Sequence, residues 1–340
     1  MSVRNALPFV LGAILATTAG AQKVHQLPAT PSTVAYGYYW FDAKPALRIN
    51  SGDIVDIETM LTNTPVGLER IGVKPEDIPQ NLRDIVAQDT GAALKGPGGH
   101  ILTGPIFVEG ADSGDVLEVR IQSITLPLAY GYNGCSGFMR ELCEVRGSKL
   151  IAMDRQKMTA EVAPGIVVPL RPFFGSMGVA PAAALGRVSS NPPSRHAGNL
   201  DNKELVAGTT LYIPIFVKGA LLEVGDGHAA QGDGEVDQTA IETNLRGRLQ
   251  LIVRKDMKLD WPRGETPTHW ITMGTDTSLV VATKTAIKEM VTFLQQTKGI
   301  TQTQAYQAAS MAADLRITQL VDGNVGVHMM IPKSYLVPQH

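Results

Sequence analysis

A short pattern recurs along the chain, in which a tight Gly-containing turn opens a run of alternating apolar and polar positions. Ser51-Gly52-Asp53-Ile54-Val55-Asp56-Ile57-Glu58 is echoed by Ser113-Gly114-Asp115-Val116-Leu117-Glu118-Val119-Arg120 and, more weakly, by Lys218-Gly219-Ala220-Leu221-Leu222-Glu223-Val224. Alternation at period two puts Val, Ile and Leu on one face and charges on the other, so each unit predicts a half-buried strand. Three such units imply related β layers. Between them Pro and Gly fall at short intervals (Gly104-Pro105, Pro127, Pro164-Gly165, Pro169, Pro172, Pro192-Pro193, Pro214). That spacing cuts the chain into many short strands, as a sandwich or barrel requires.

The texture changes after about Pro267. Ile287, Met290, Val291 and Leu294 follow the i, i+3, i+4, i+7 spacing of an amphipathic helix, which Gly299 closes. Thr301 with Gln304 forms a capping box for a second helix, predicted to turn Ala305, Ala308, Ala309, Ala312 and Leu315 inward. Arg316 to Val321 and Val325 to Ile331 then read as two strands joined by the turn Asp322-Gly323-Asn324. The predicted fold is mainly β, with a sandwich or barrel-like body over residues 22–266 and an α+β portion over 267–340.

The N-terminus stands apart from this pattern. Arg4, an apolar run of eleven residues from Ala6 to Ala16, and Ala19-Gly20-Ala21 have the three-part layout of a secretory signal peptide. Cleavage is expected after Ala21, which makes the chain an exported protein, periplasmic or secreted. The residue directly after that position is Gln22 and not Cys, so a lipoprotein anchor is not expected. No stretch approaches the roughly twenty apolar residues of a membrane span.

Composition agrees with the pattern and narrows the function. Apolar residues make up 44% and charged ones only 18% of 340 positions, which argues against disorder, and 34 Gly with 21 Pro suit a turn-rich β protein. A formal net charge of −2 is too even to hold a polyphosphate in a groove, so no nucleic-acid partner is expected. Cys135 and Cys143 lie eight positions apart; a local disulfide and two free thiols both remain open, and without flanking His they cannot make a sulfur-rich zinc site.

The densest polar cluster runs from Gly225 to Glu235, with three carboxylates, one imidazole and four glycines in eleven residues. It reads as a loop. Asp226 and His228, two positions apart on a Gly-flanked backbone, could turn toward one divalent cation, or the segment could be a hydrated turn whose Asp side chains serve their own backbone. A second cluster spans Ser194 to Glu204 and includes Asn199 and Asp201. A third, Gly96-Pro97-Gly98-Gly99-His100, ends on a His that reads by itself as a loop residue. His328, flanked by Val327 and Met329, reads as a structural His on a strand. There is no Ser nucleophile elbow, no Walker or dinucleotide fingerprint, and no EF-hand ligand pattern.

Five segments in order resemble the acetamidase/formamidase family over nearly the whole chain after residue 21. They are His100-Ile101-Leu102-Thr103-Gly104-Pro105-Ile106 with Val108-Glu109-Gly110-Ala111; Pro169 through Pro181; Gly198-Asn199-Leu200-Asp201; Gly225 through Glu235; and Asp314 through Gly323 with Gly326-Val327-His328. The resemblance implies a mainly β, oligomeric, metal-assisted amidohydrolase that converts short aliphatic amides to a carboxylate and ammonia. It implies that the clusters converge, with His100, Asp201 and His228 holding a divalent metal, zinc in the first place, and Asp226 as a further ligand or its neighbour. Glu235 or Asp233 would be the general base, and Asn199 and Gln231 donors to the amide or oxyanion. One position departs: the family usually has a His before the Gly that leads into an aromatic pair, whereas Tyr36 precedes Gly37 here. Two competing readings are a secreted β-sandwich module that binds calcium or carbohydrate, and a hydrolase of another amide-like substrate.

Overall fold

A computed structural model describes residues 22–88 and 95–338. The expected signal peptide, residues 1–21, lies outside the described residues. Among the described residues no helix is long and apolar enough to cross a membrane.

Two large sheets carry the body. The first has nine strands in the order Val24–Leu27, Ile54–Glu58, Arg246–Arg254, Val116–Thr125, Thr209–Pro214, Arg263–Glu265, His269–Asp276, Val325–Pro332 and Asp314–Gln319. The first two repeated units thus share a sheet, each paired antiparallel to Arg246–Arg254. Their turns are built alike: Gly52 and Gly114 take φ of +97° and +88°, and the Asp53 and Asp115 carboxylates accept the backbone N–H of Asn50 and Asp112, each at 3.1 Å. The third unit lies in the second sheet, ordered Ala197–Asn199, Phe173–Gly178, Ala220–His228, Ile101–Glu109 and Val34–Tyr36. Leu47–Asn50 runs parallel to Ile101–Glu109 at its side. Val55, Leu117, Leu211 and Leu249 of one sheet share a buried apolar cluster with Ile106, Phe174, Met177 and Leu222 of the other, so the body is a sandwich.

The C-terminal strands continue the nine-stranded sheet. Helices Leu279–Lys298 and Gln302–Ala312 lie over His269–Asp276 and Val325–Pro332, burying Ala282, Ala286, Met290 and Leu294 against Val327, Met329 and Ile331. Gly299 ends the first helix at φ 63°, and the Thr301–Gln304 capping box opens the second. Leu315 departs from expectation: it belongs to the strand Asp314–Gln319 and is 45% exposed, because the second helix ends at Ala312.

A small sheet of Tyr130–Cys135, Gly147–Asp154, Thr159–Ala163 and Ile166–Pro169 and a two-stranded one of Tyr38–Trp40 with Arg187–Ser189 add to the body. Cys135, the last residue of the strand Tyr130–Cys135, is joined to Cys143 in a disulfide. Of the two states open at the sequence level, the bonded one is found.

Candidate active site

The segment read as a loop proves to be half strand. Ala220–His228 is continuous and wholly buried, and only the residues after His228 leave the sheet. The glycines explain the misreading. A Cβ on Gly225 would come within 2.6 Å of the Ile101 carbonyl, and one on Gly227 within 2.5 Å of the Thr243 carbonyl, so these glycines let neighbouring backbone close in. Alternation then puts Asp226 and His228 on a common side.

Long-range folding brings other residues to that side. Asp201 follows the strand Ala197–Asn199, its N–H bonded to the Gly175 carbonyl at 3.1 Å. Glu242 joins by a backbone bridge to His228, Asp322 from the turn between the last two strands, and His100 from the start of Ile101–Glu109. His228 Nε2 lies 3.2 Å from Glu242 Oε1, 3.4 Å from Asp226 Oδ2 and 4.0 Å from Glu235 Oε1, and its Nδ1 is 4.0 Å from Asp201 Oδ1. His100 Nε2 is 3.8 Å from Asp226 Oδ1. Three ligand sets each converge within 4.8 Å: Asp201, Asp226 and His228; His228, Glu235 and Glu242; and Asp201, Glu235 and Asp322.

Five carboxylates and two imidazoles packed together need protons or a cation among them, since unpaired buried charge is costly. Asp201 is 1% exposed and neither carboxylate oxygen accepts from an N–H or hydroxyl donor, nor does Glu235 Oε2, while the Asp226 and Asp322 carboxyls lie within reach of Asp201 for a shared proton. Burial, then the neighbouring Glu235 and Asp226 carboxylates, hold the Asp201 carboxyl far above its usual range. Burial likewise raises Glu235 and Glu242, and lifts Asp322 to about 6. Burial acts against the charged form of His228, but Glu242 and Asp226 overcome it and raise its pKa. Asp226 is also desolvated, yet His228 and His100 hold it low.

The local scaffold fixes these groups. Gln231 Nε2 donates to the Asp201 carbonyl at 2.7 Å, which leaves its Oε1 facing His228 Nδ1 at 2.9 Å. With that amide orientation Nδ1 carries the proton, so Nε2 points its lone pair, or a second proton, at the carboxylates. Ser190 Oγ holds His100 Nδ1 at 2.9 Å. Asp201, Asp226 and Glu235 sit at φ of 49°, 55° and 41°, a left-handed conformation that Asp tolerates and Glu does not favour.

Gly175 supplies the floor. A Cβ there would collide with the Asp226 and Asp201 carboxylates and lie 2.9 Å from His228 Cε1. Orphaned carboxylate oxygens, a floor with no side chain and a nitrogen–oxygen donor set together fit a divalent cation.

Of the residues singled out in the sequence, His100, Asp201, Asp226, His228 and Glu235 therefore meet, and Gln231 braces two of them. Asp233 faces outward to Lys203 Nζ at 3.1 Å and Arg316 at 4.0 Å. Asn199 Oδ1 accepts from Ser176 Oγ at 2.7 Å. His328 is buried on its strand, with Nδ1 2.7 Å from Thr318 Oγ1. Tyr36 pairs with Ile101 beside the cluster, under the Lys95 ammonium. Sequence reasoning missed Glu242, which stands in no pattern, and Asp322, whose turn was recognised without its role.

The model of the acetamidase/formamidase family matches residues 42–191 and 187–336. The chain belongs to the acetamidase/formamidase family. It is similar to the acetamidase of Mycolicibacterium smegmatis, 26% identical over 234 residues that take in 51% of this chain and 56% of the relative. The chain thus spans about half the length of the curated relative it matches. A predicted acetamidase/formamidase from Thermoanaerobacter tengcongensis superposes with a TM-score of 0.78 at 26% identity, covering 93% of this chain and 98% of the other. The acetamidase of Bacillus halodurans gives 0.77 at 28%, covering 91% and 98%. Each of the five segments that resemble the acetamidase/formamidase family supplies the cluster: His100 from the first, Gly175 from the second, Asp201 from the third, Asp226, His228, Gln231 and Glu235 from the fourth, and Asp322 from the fifth.

Proposed function

We propose that this chain hydrolyses the carbon–nitrogen bond of linear aliphatic amides, giving a carboxylate and ammonia, at a divalent-metal centre in the buried cluster. Asp201, Asp226, His228 and His100 would hold the metal, with zinc the first expectation and calcium the second. A divalent ion bound there would acidify a water molecule and polarise the amide carbonyl. Glu235 acts as the proton carrier: its buried carboxyl stands against Asp201 and His228 with an Oε2 that accepts from no donor, suited to taking a proton from water and returning it to the departing nitrogen. Gln231 has both ends of its amide engaged and so positions His228 and the Asp201 backbone, while Asp233 is neutralised by Lys203. The chain would act on its small amide substrate after export and as a homo-oligomer.

The observation that carries this reading is the buried trio Asp201, Asp226 and His228, whose ligand atoms lie within 4.8 Å of one another while no N–H donor reaches the Asp201 carboxylate. Ammonia release from a panel of small amides, assayed as purified, after chelation and after metal is restored, tests it. Release that chelation abolishes and metal restores is expected; a metal-replete protein that releases no ammonia from any of them would overturn the reading.

A further inference from the structure

Glu235 of the buried cluster and Gln231, which braces that cluster, also line a cavity of about 620 Å³. Its other walls come from the small sheet, through Ile151, Val162 and Val168, and from the segment after the site strand, through Ala230 and Ile241. Ile151 and Ile241 belong to the main apolar core, and Val162, Val168 and Ala230 pack against it. The charged groups at its rim are engaged: Lys203 with Asp233 at 3.1 Å, Arg171 with Glu204 at 3.8 Å, Lys149 Nζ with the Val162 carbonyl at 2.7 Å, and the Asp237 carboxylate with Asn133 Nδ2 at 3.1 Å. The space therefore suits an uncharged apolar group.

Its size exceeds what the smallest amides need. Formamide and acetamide have three and four non-hydrogen atoms and displace only a few waters of about 30 Å³ each. Mostly apolar cavities of roughly 300 to 1,000 Å³ bury much larger ligands.

We infer that this cavity receives the acyl group of the substrate, and that the preferred amides carry an apolar chain or ring larger than acetyl, such as hexanamide or benzamide. The inference rests on the amidase reading and names its substrate class. Each buried methylene strengthens binding by a factor of about four, so four added methylenes allow a large preference.

The test measures kcat/KM for acetamide, butyramide, hexanamide and benzamide on the metal-replete full chain, with Val168→Trp and the milder Val162→Phe to fill the cavity. Calorimetric binding of hexanamide and acetamide accompanies it. Expected are a rise of at least about tenfold in kcat/KM from acetamide to hexanamide, and loss of most of that gain in the filled variants, whose ratio of hexanamide to acetamide kcat/KM falls toward one. Acetamide matching hexanamide, or filled variants that keep the gain, would overturn the inference. If no amide is hydrolysed, the amidase reading fails; the cavity assignment then stands if hexanamide binds more tightly than acetamide and Val168→Trp or Val162→Phe weakens it, and falls if not.

Discussion

The C-terminal helical layer and the buried acidic cluster are built on opposite principles. In the layer every local rule is obeyed: a 3.6-residue apolar stripe, a left-handed Gly299, a reciprocal capping box, and an apolar interface of Ala282, Met290 and Leu294 on Val327 and Ile331. In the cluster the rules fail together. Carboxylates are buried, Glu235 sits on left-handed backbone, and Asp201 and Glu235 leave oxygens that accept from no donor. The layer contributes stability, and the cluster costs some of it. Substitutions in the two regions should therefore separate stability from activity.

The largest effect on stability is expected in the layer. Leu294→Ala should remove about 2 to 5 kcal/mol, seen as a lower denaturant midpoint, because a 1% exposed side chain leaves a cavity between helix and sheet. Amide turnover per folded molecule should stay within about twofold of the parent; a loss of activity as large as the loss of stability would erase the contrast. Gly175→Ala should do the reverse, lowering metal affinity or turnover by roughly 10- to 100-fold, because its methyl intrudes among the Asp201, Asp226 and His228 side chains. An alanine variant with unchanged metal affinity and turnover would mean that the floor at Gly175 does not serve the site. Smallest is Thr301→Ala, which removes the cap accepting the Gln304 N–H and should cost about 1 kcal/mol with no change in turnover.

The same contrast decides what the sequence could disclose. The turn–strand units at Gly52 and Gly114 and the helix pair from Leu279 to Ala312 were legible because their signals are local: a positive-φ glycine, an Asp bonding its own turn, a capping pair three residues apart. Most of the cluster was legible only through resemblance, since His100, Asp201 and His228 carry no spacing that joins them. Glu242 was invisible because its position is set by a backbone bridge to His228. Gly225 to His228 misled for a physical reason. Gly-rich, charged sequence ordinarily means a turn, but here the glycines admit neighbouring backbone into van der Waals range, and the charges are buried against one another. The second helix was extended to Leu315 because the alanine periodicity carried on past the residue where the backbone turns into a strand.

The central claim is that the buried carboxylates and imidazoles are organised by a metal. Elemental analysis of the full chain, dialysed after purification, tests it most directly beside a folded Asp201→Ala variant. The account predicts about one divalent ion per parent chain and a small fraction of that in the variant, as expected when a ligand is removed from a compact site. A parent chain that holds no divalent ion even after exposure to zinc and calcium, or a variant that holds as much as the parent, would contradict it.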